Sequence, residues 1–457
     1  MSMSDATRDA VEVTELLQQL IRNQCVNDGT AESGHEQRSA DVLRNVLEGP
    51  GIDVETFEPT PGRTSLVARI EGSKPDAPTL MLMGHTDVVP ATEGWTRDPF
   101  GGELVDGFVW GRGAVDMLNL TASMAVATRK LADTGWKPDG TLLYFAVADE
   151  EALGNHGAGY MAARETDAVR ADYVITESGG IPMPGPNGTK LPVIVGEKGA
   201  YWCRLVVKGT PGHGSQPLRT DNALVTAAEV VRRLDEYRPE TQIHDVWRRF
   251  VEAMFPGELA DMLKDPVQLQ GLLDTLPVAL ARQAHACTHT TFAPTVMHGG
   301  HKTNVIPDRV ELEVDIRTLP GQTGPEIRAM LDEVLSQPVG SGDTTPLADR
   351  VTVEVITDEN STASPVDTPL WDSLNRVSNA LVPGGAELVP FLTVGATDAR
   401  FFRRMGIPAY GYGLFSSHLS FEDYGTMFHG DDERVDVESL RLSTELWQAV
   451  SKDLLGG

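Results

Sequence analysis

The sequence predicts an α/β fold around a mostly parallel central sheet, interrupted by an inserted α+β domain. Short runs that are apolar throughout, Thr64 to Ile70, Thr79 to Met83, Thr141 to Ala148 and Tyr173 to Thr176, suit strands buried on both faces. From Lys198 the pattern turns to clean alternation. Tyr201, Cys203, Leu205 and Val207 alternate with Trp202, Arg204 and Lys208, and Val310, Leu312, Val314 and Ile316 alternate with Glu311, Glu313, Asp315 and Arg317, which marks a sheet with one wet face. A chain of 457 residues has room for both units at roughly 150 residues per domain.

Along the chain, Val13, Leu16, Leu17, Leu20 and Ile21 recur at helical spacing and predict an opening helix. The buried strands follow, with helical stretches such as Leu118 to Ala132 between them, and this first block, 1–197, ends near Glu197. The inserted block, 198–357, holds the alternating strands, with Asp221 to Tyr237 and much of Gln242 to Gln283 reading as helical between them. After Val351 to Ile356, a helix over Leu370 to Leu381, a Gly-rich run and a terminal helix ending near Leu454 return to the first style. The block 358–457 is therefore expected to complete the sheet begun at the N-terminus.

Composition narrows the function. Thirty-eight Lys and Arg stand against 66 Asp and Glu, and a formal charge of −28 repels nucleic acid and anionic membranes. Cys25, Cys203 and Cys287 are far apart and form neither a disulfide framework nor a CxxC metal knuckle, which fits a reducing compartment. The polar opening MSMSDATRDA lacks the apolar centre of a secretory signal, and no run of about 18 apolar residues exists, so the cytoplasm is the expected location.

Four polar groups follow expected strands in order. In Gly84-His85-Thr86-Asp87 the imidazole and carboxylate are two apart; on a continuing strand they share a face, so that Asp87 would orient His85 while the other ring nitrogen binds a metal. Gly111 to Met117 is a Gly-rich turn before a helix, but without a GK[ST] and with an acidic end it suits a cation rather than a phosphate. Asp149-Glu150-Glu151 and Glu177 each follow a buried strand, at the sheet edge where open α/β folds bind ligands. Late in the chain, His429-Gly430-Asp431-Asp432-Glu433 offers another imidazole. Singly, each reads more simply as a solvated loop; together they point to one metal site.

The motifs GHTDVVP, GRGAVDM, ADEEA, TESGG, GEKG, GHGS, DNA, NVIP, DIRTLPG, GATDARFF and HGDDERV resemble, in this order, the metallopeptidases related to aminoacylase, carboxypeptidase G, carboxypeptidase S and succinyl-diaminopimelate desuccinylase. The resemblance implies a zinc-exopeptidase-like catalytic domain with an inserted lid and dimerisation domain. It implies two Zn2+ per subunit, with Co2+ or Mn2+ as substitutes: His85, Asp116 and Glu177 on one, Asp116, Glu151 and His429 on the other, with the Asp116–Met117 peptide cis. Two Zn2+ set against those three carboxylates and one bridging hydroxide leave the site neutral. Glu150, beside a ligand but not itself implied to be one, would act as general base. The matching His213 stabilises the oxyanion from the partner subunit's lid, Asn304 and Arg317 hold the substrate's carboxylate, and Gly395 and Thr397 contact substrate, while Asp398 shapes their loop. Cys203 has no catalytic partner signature nearby and is set aside as a nucleophile.

The chain departs from the family where Met117-Leu118-Asn119 replaces Met-Lys-Gly and Gly214 follows His213. Desuccinylases carry consecutive Arg near Glu197, whose charge would repel a succinyl group. The implied function is hydrolysis of an amide next to a free carboxylate in a dipeptide, C-terminal residue or N-acyl amino acid, by a cytoplasmic homodimer. A di-metal aminopeptidase would need a pocket for a free amine, and a non-catalytic binding protein of this fold would have lost a ligand or Glu150.

Overall fold

The computed structural model describes residues 5–337 and 346–457; residues 1–4 of the polar opening and 338–345 of the middle block lie outside the described residues. The large sheet runs in the order Asp53–Phe57, Ser65–Ile70, Thr141–Val147, Thr79–His85, Tyr173–Thr176, Ala409–Gly411, Gly188–Glu197 and Thr362–Ala363. Its middle is parallel, from Thr141–Val147 through Thr79–His85 and Tyr173–Thr176 to Ala409–Gly411. Antiparallel pairs flank it, and Ala386–Thr393 runs parallel along Gly188–Glu197.

Burial on both faces explains the apolar runs. Along Thr79–His85, Leu80 and Leu82 join the core under Asp5–Arg22, Leu118–Asp133 and Val437–Leu455, while Met81 and Met83 join the opposite core with Phe145 and Phe402. A polar residue on either face of such a strand would lie in a dry layer, so polar groups gather at the strand ends.

The smaller sheet, Thr291–Gly299, Arg309–Thr318, Gly199–Lys208 and Val351–Glu359, is antiparallel throughout. Its inner face meets Ala223–Glu236 and Gly324–Leu335 through Cys203, Leu205, Val314 and Ile316. On the outer face Arg204 pairs with Glu313 at 2.7 Å, as the alternation requires.

The helical part of the middle block, Asp245–Met254, Gly257–Lys264, Pro266–Leu272 and Val278–Thr288, turns to the large sheet instead. Trp247, Phe250, Val251 and Leu263 share a core with Ile194, Val389, Phe391 and Leu392. The Phe250 ring meets Phe391 edge-on, with centroids 5.0 Å apart. A helical pattern reports an apolar face but not what covers it. Among the described residues no helix is long and apolar enough to cross a membrane.

Removing the Phe250 ring should cost about 3 kcal/mol or more of local stability, the scale of a buried Phe→Ala change. In Phe250→Ala, amide hydrogen exchange is expected to quicken in Ala386–Thr393 as well as in residues 245–288, and to stay unchanged in Arg309–Thr318. Faster exchange confined to the helices would mean that they do not support the large sheet.

Candidate metal centre

The strand ends converge. His85 is the last residue of Thr79–His85, Glu151 lies in the 3-10 turn after Thr141–Val147, and Glu177 directly follows Tyr173–Thr176. Asp116 comes from the loop entering Leu118–Asp133, with a cis Asp116–Met117 peptide, and His429 from the turn before Arg434–Asp436. Asp116 stands between the two histidines: Oδ1 lies 3.3 Å from His85 Nε2, and Oδ2 lies 3.3 Å from His429 Nε2. Glu177 approaches His85 Nε2 at 3.7 Å, and Glu151 approaches His429 Nε2 at 3.2 Å. His85, Asp116 and Glu177 thus form one group, and Asp116, Glu151 and His429 another, each with its ligand atoms within 4.8 Å of one another. Glu150 is in neither group.

A model of peptidase family M20/M25/M40 matches residues 81–453. The chain belongs to this family. It is 25% identical over 412 residues to a probable carboxypeptidase S-like 2 of Dictyostelium discoideum, covering 85% of this chain and 74% of that protein. To aminoacylase-1 of Mus musculus it is 26% identical over 385 residues, 83% of each. A crystal structure of an M20 family metallo-carboxypeptidase from Sulfolobus solfataricus shares the fold with a TM-score of 0.70 at 17% identity, covering 99% of both chains. As an M20 protein the chain is a metal-dependent hydrolase of the peptidase and amidohydrolase type.

The donor set fits divalent ions. Imidazole nitrogens and carboxylate oxygens suit zinc, and Glu151 Oε1 is buried with no hydrogen-bond partner among the described residues. Burial, with the nearby charge of Asp116, pushes Glu151 up to about 7. Burial and the charge of Glu177 push Glu150 well above the usual carboxylate range, and burial raises Glu177 as well. On Asp116 the hydrogen bonds from His429 and His85 outweigh burial and hold the carboxyl well below its usual range.

Behind the site the M20 chain carries a buried polar network for which the sequence offers no signal. The Asp87 carboxylate does not accept from His85 as expected: Nδ1 lies 2.9 Å from the Asp87 main-chain carbonyl and 3.7 Å from the carboxylate. The strand ends at His85, so the two side chains no longer follow strand geometry. The carboxylate accepts instead from Asn27 Nδ2 at 2.9 Å and from the N–H groups of Glu150 and Glu151 at 3.3 and 3.1 Å. Arg63 in turn donates to Glu36 at 2.8 Å and to Asn27 at 3.1 Å, and Glu36 accepts from the N–H of Asp149 at 3.1 Å. The turn bearing Glu150 and Glu151 is therefore fixed from behind.

The remaining expected residues divide. Arg317 and Gly395 line a cavity of about 850 Å³ together with Asp116, Glu150, Glu151, Glu177 and His429. Asp315 holds Arg317 Nε and Nη2 at 2.7 and 3.1 Å, and the guanidinium lies 5.5 Å from the Trp202 ring. Thr397 also borders the cavity, but its N–H and hydroxyl both donate to Glu197, at 2.7 and 3.0 Å. Glu197 accepts a third bond from the Thr362 hydroxyl at 2.8 Å and has Arg403 at 3.6 Å, so its charge is engaged and the expected repulsion of a succinyl group loses its basis. Among the described residues neither oxygen of buried Asp398 has a hydrogen-bond partner, and burial pushes it up to about 8. His213 and Asn304 sit elsewhere, exposed, with Gly212–His213 paired to Val305–Ile306 and the N–H of Gly214 bonded to the Asn304 carbonyl at 2.9 Å. Burial pushes the Cys203 thiol up to about 12, in keeping with its inert reading.

The shifts predict how the metal-free protein responds to pH. Hydrogen bonds to Asp116 and Glu151 raise His429 from 6.5 to about 10, and Glu151 rises from 4.5 to about 7. Both make the folded chain hold more protons than the unfolded one, so the stability these two groups contribute falls as pH rises from about 4.5 to about 10, while Lys198, lowered by burial to about 7, and His289, lowered by burial to about 4, act in the opposite sense within that window. The opposite contribution of Asp116, whose pKa is depressed, is lost only in acid below this window. After chelation the thermal midpoint should drop between pH 5 and pH 9.5, less steeply in Glu151→Gln. A wild-type profile no steeper than that of Glu151→Gln contradicts the assignment.

Proposed function

We propose that this M20 protein is a two-zinc amidohydrolase that cleaves the amide next to a free carboxylate in dipeptides, C-terminal residues or N-acyl amino acids. The observation that carries the reading is Asp116, each oxygen facing its own histidine and glutamate, on a cavity that also holds the unligated Glu150 and the cationic Arg317. When bound, a pair of divalent ions supplies Lewis acidity that acidifies water and polarises a carbonyl. Co2+ or Mn2+ can take the place of zinc in the same donor set.

Glu150 takes the proton from the attacking water and returns it to the leaving nitrogen. Its raised affinity for protons suits both halves of that transfer. Asp87 accepts from the N–H of Glu150 and so fixes the base. Arg317, held by Asp315 and Trp202, meets the substrate's carboxylate, and Gly395 lets the substrate lie close to the loop ahead of Thr397. A preformed guanidinium loses little freedom on binding.

The oxyanion donor His213 comes from a second copy of the chain, with Asn304 beside it. Ala200 lines the cavity, whereas His213 lies beyond the far end of the same strand, Gly199–Lys208, roughly 30 Å away at about 3.3 Å per residue. Around that end Leu224, Val225, Met297 and Val305 are exposed apolar residues, which supports a homodimer there. Three free, buried cysteines fit a reducing compartment, the cytoplasm.

Glu150→Gln should lower turnover of an N-acyl amino acid by about 10²-fold or more while zinc content stays at two per chain, because the residue moves protons and is not a ligand. Elemental analysis beside kinetics checks this, and loss of a metal in Glu150→Gln but not in Glu151→Gln reverses the assignment of the pair.

Mixing Glu150→Ala and His213→Ala chains tests the shared site. In the mixed dimer one site lacks both groups, but the other has Glu150 from one chain and His213 from its neighbour. An oxyanion donor contributes about 10²- to 10³-fold, so activity after subunit exchange should stand well above either parent. No recovery in dimers verified by native mass spectrometry rejects delivery of His213 by the partner.

A further inference from the structure

Glu433 lies four residues after His429, has no exposure to solvent, and has no part in the reaction described above. Its carboxylate is filled by the loop that carries Asp116. Oε1 accepts from the N–H groups of Val115 and Asp116 at 2.6 and 2.8 Å; Oε2 accepts from the N–H of Gly113 at 2.9 Å and from Arg112 Nη1 at 3.0 Å. The main chain adds one more tie, Gly111 N–H to the Glu433 carbonyl at 2.9 Å, next to the pairing of Arg434–Asp436 with Phe108–Trp110. Arg112, equally buried, reaches on to the His429 carbonyl at 3.4 Å.

Three N–H groups can face one carboxylate because Gly113 has φ +90°, in a space where a Cβ would come within 2.6 Å of Leu118 and 2.8 Å of Val88. Such a concave run of N–H groups is an anion nest, and here the anion is a side chain of the protein. The loop bearing Asp116 and the turn bearing His429 are thereby locked to each other through one carboxylate.

We propose that Glu433 is a positioning residue for metal binding, which sets Asp116 and His429 at their common spacing so that the second ion can be held. The inference rests on the two-metal reading. If Glu433 merely satisfied buried N–H groups, its loss would lower stability and leave metal affinity alone.

The test is calorimetric titration of Zn2+ into chelator-stripped wild type, Glu433→Gln and Glu433→Asp, with thermal unfolding of each metal-free form alongside. Glutamine keeps the shape but turns an N–H group toward the nest; aspartate keeps the charge but withdraws it by one methylene. In both, the dissociation constant of the weaker zinc should rise about 10- to 100-fold, as for other residues that orient metal ligands. Activity should fall at limiting zinc and return when zinc is raised. Two zinc ions bound with wild-type constants overturn the proposal, whatever happens to the thermal midpoint. If Glu433→Gln does not fold, Glu433→Asp decides by the same criterion. A wild type that binds fewer than two zinc ions defeats the two-metal reading instead.

Discussion

Asp116 can serve two histidines at once only if its carboxylate is presented edge-on between them, and most of what surrounds the site follows from that demand. A freely rotating aspartate would pair with one imidazole and lose the other. Here the backbone on both sides of the residue is held, by the Glu433 carboxylate before it and by the helix Leu118–Asp133 after it. His85 and His429 are therefore 344 positions apart in sequence and 3.3 Å from opposite oxygens of the same side chain. The carboxylates here are buried and close together, and burial first, then their mutual repulsion, raises the affinities of Glu150, Glu151 and Glu177 for protons. Divalent ions relieve that repulsion.

The parallel middle of the large sheet is what makes the gathering possible. Adjacent parallel strands end on the same edge, so the residues that follow Thr79–His85, Thr141–Val147 and Tyr173–Thr176 emerge side by side. Each strand is apolar on both faces and excludes charge from its length, which leaves the edge as the place where His85, Glu151 and Glu177 can be solvated, paired or bound to an ion. The same geometry explains Asp87: two residues past the strand, its carboxylate turns back to collect the N–H groups of the neighbouring loop.

This part of the fold was legible in the sequence because burial on two faces and an abrupt change to polar residues are local patterns. Alternation in Arg309–Thr318 was legible for the same reason. What could not be read is the pairing of distant side chains. Asn27, Glu36 and Arg63 carry no pattern that connects them to Asp87 or Asp149, although they form the rear wall of the site. Glu197 shows the converse error, since a lone acid in a motif reads as a charge offered to a ligand until Thr397, Thr362 and Arg403 are seen to occupy it. The family resemblance supplied the grouping of ligands; the apolar faces of the helices of 245–288 do not name Phe391 or Ile194, the residues they meet.

The junction between the two sheets sets which residues of the smaller sheet reach the cavity. The chain crosses from one sheet to the other at Glu197-Lys198-Gly199. Glu197 is bound to the Thr397 loop, while buried Lys198 donates to the carbonyls of Ala286 and His289, both at 2.8 Å, so the crossing point is tied to the large sheet and to its helical support. Arg317 pairs with Ala200, next to that anchored point, which fixes its place on the cavity wall. His213 and Asn304 lie past the other end of the same strand. A cation near the anchored end keeps a constant place relative to the metal groups, and Arg317 is there. His213 and Asn304, a strand's length from that point, are not on the cavity wall of their own chain.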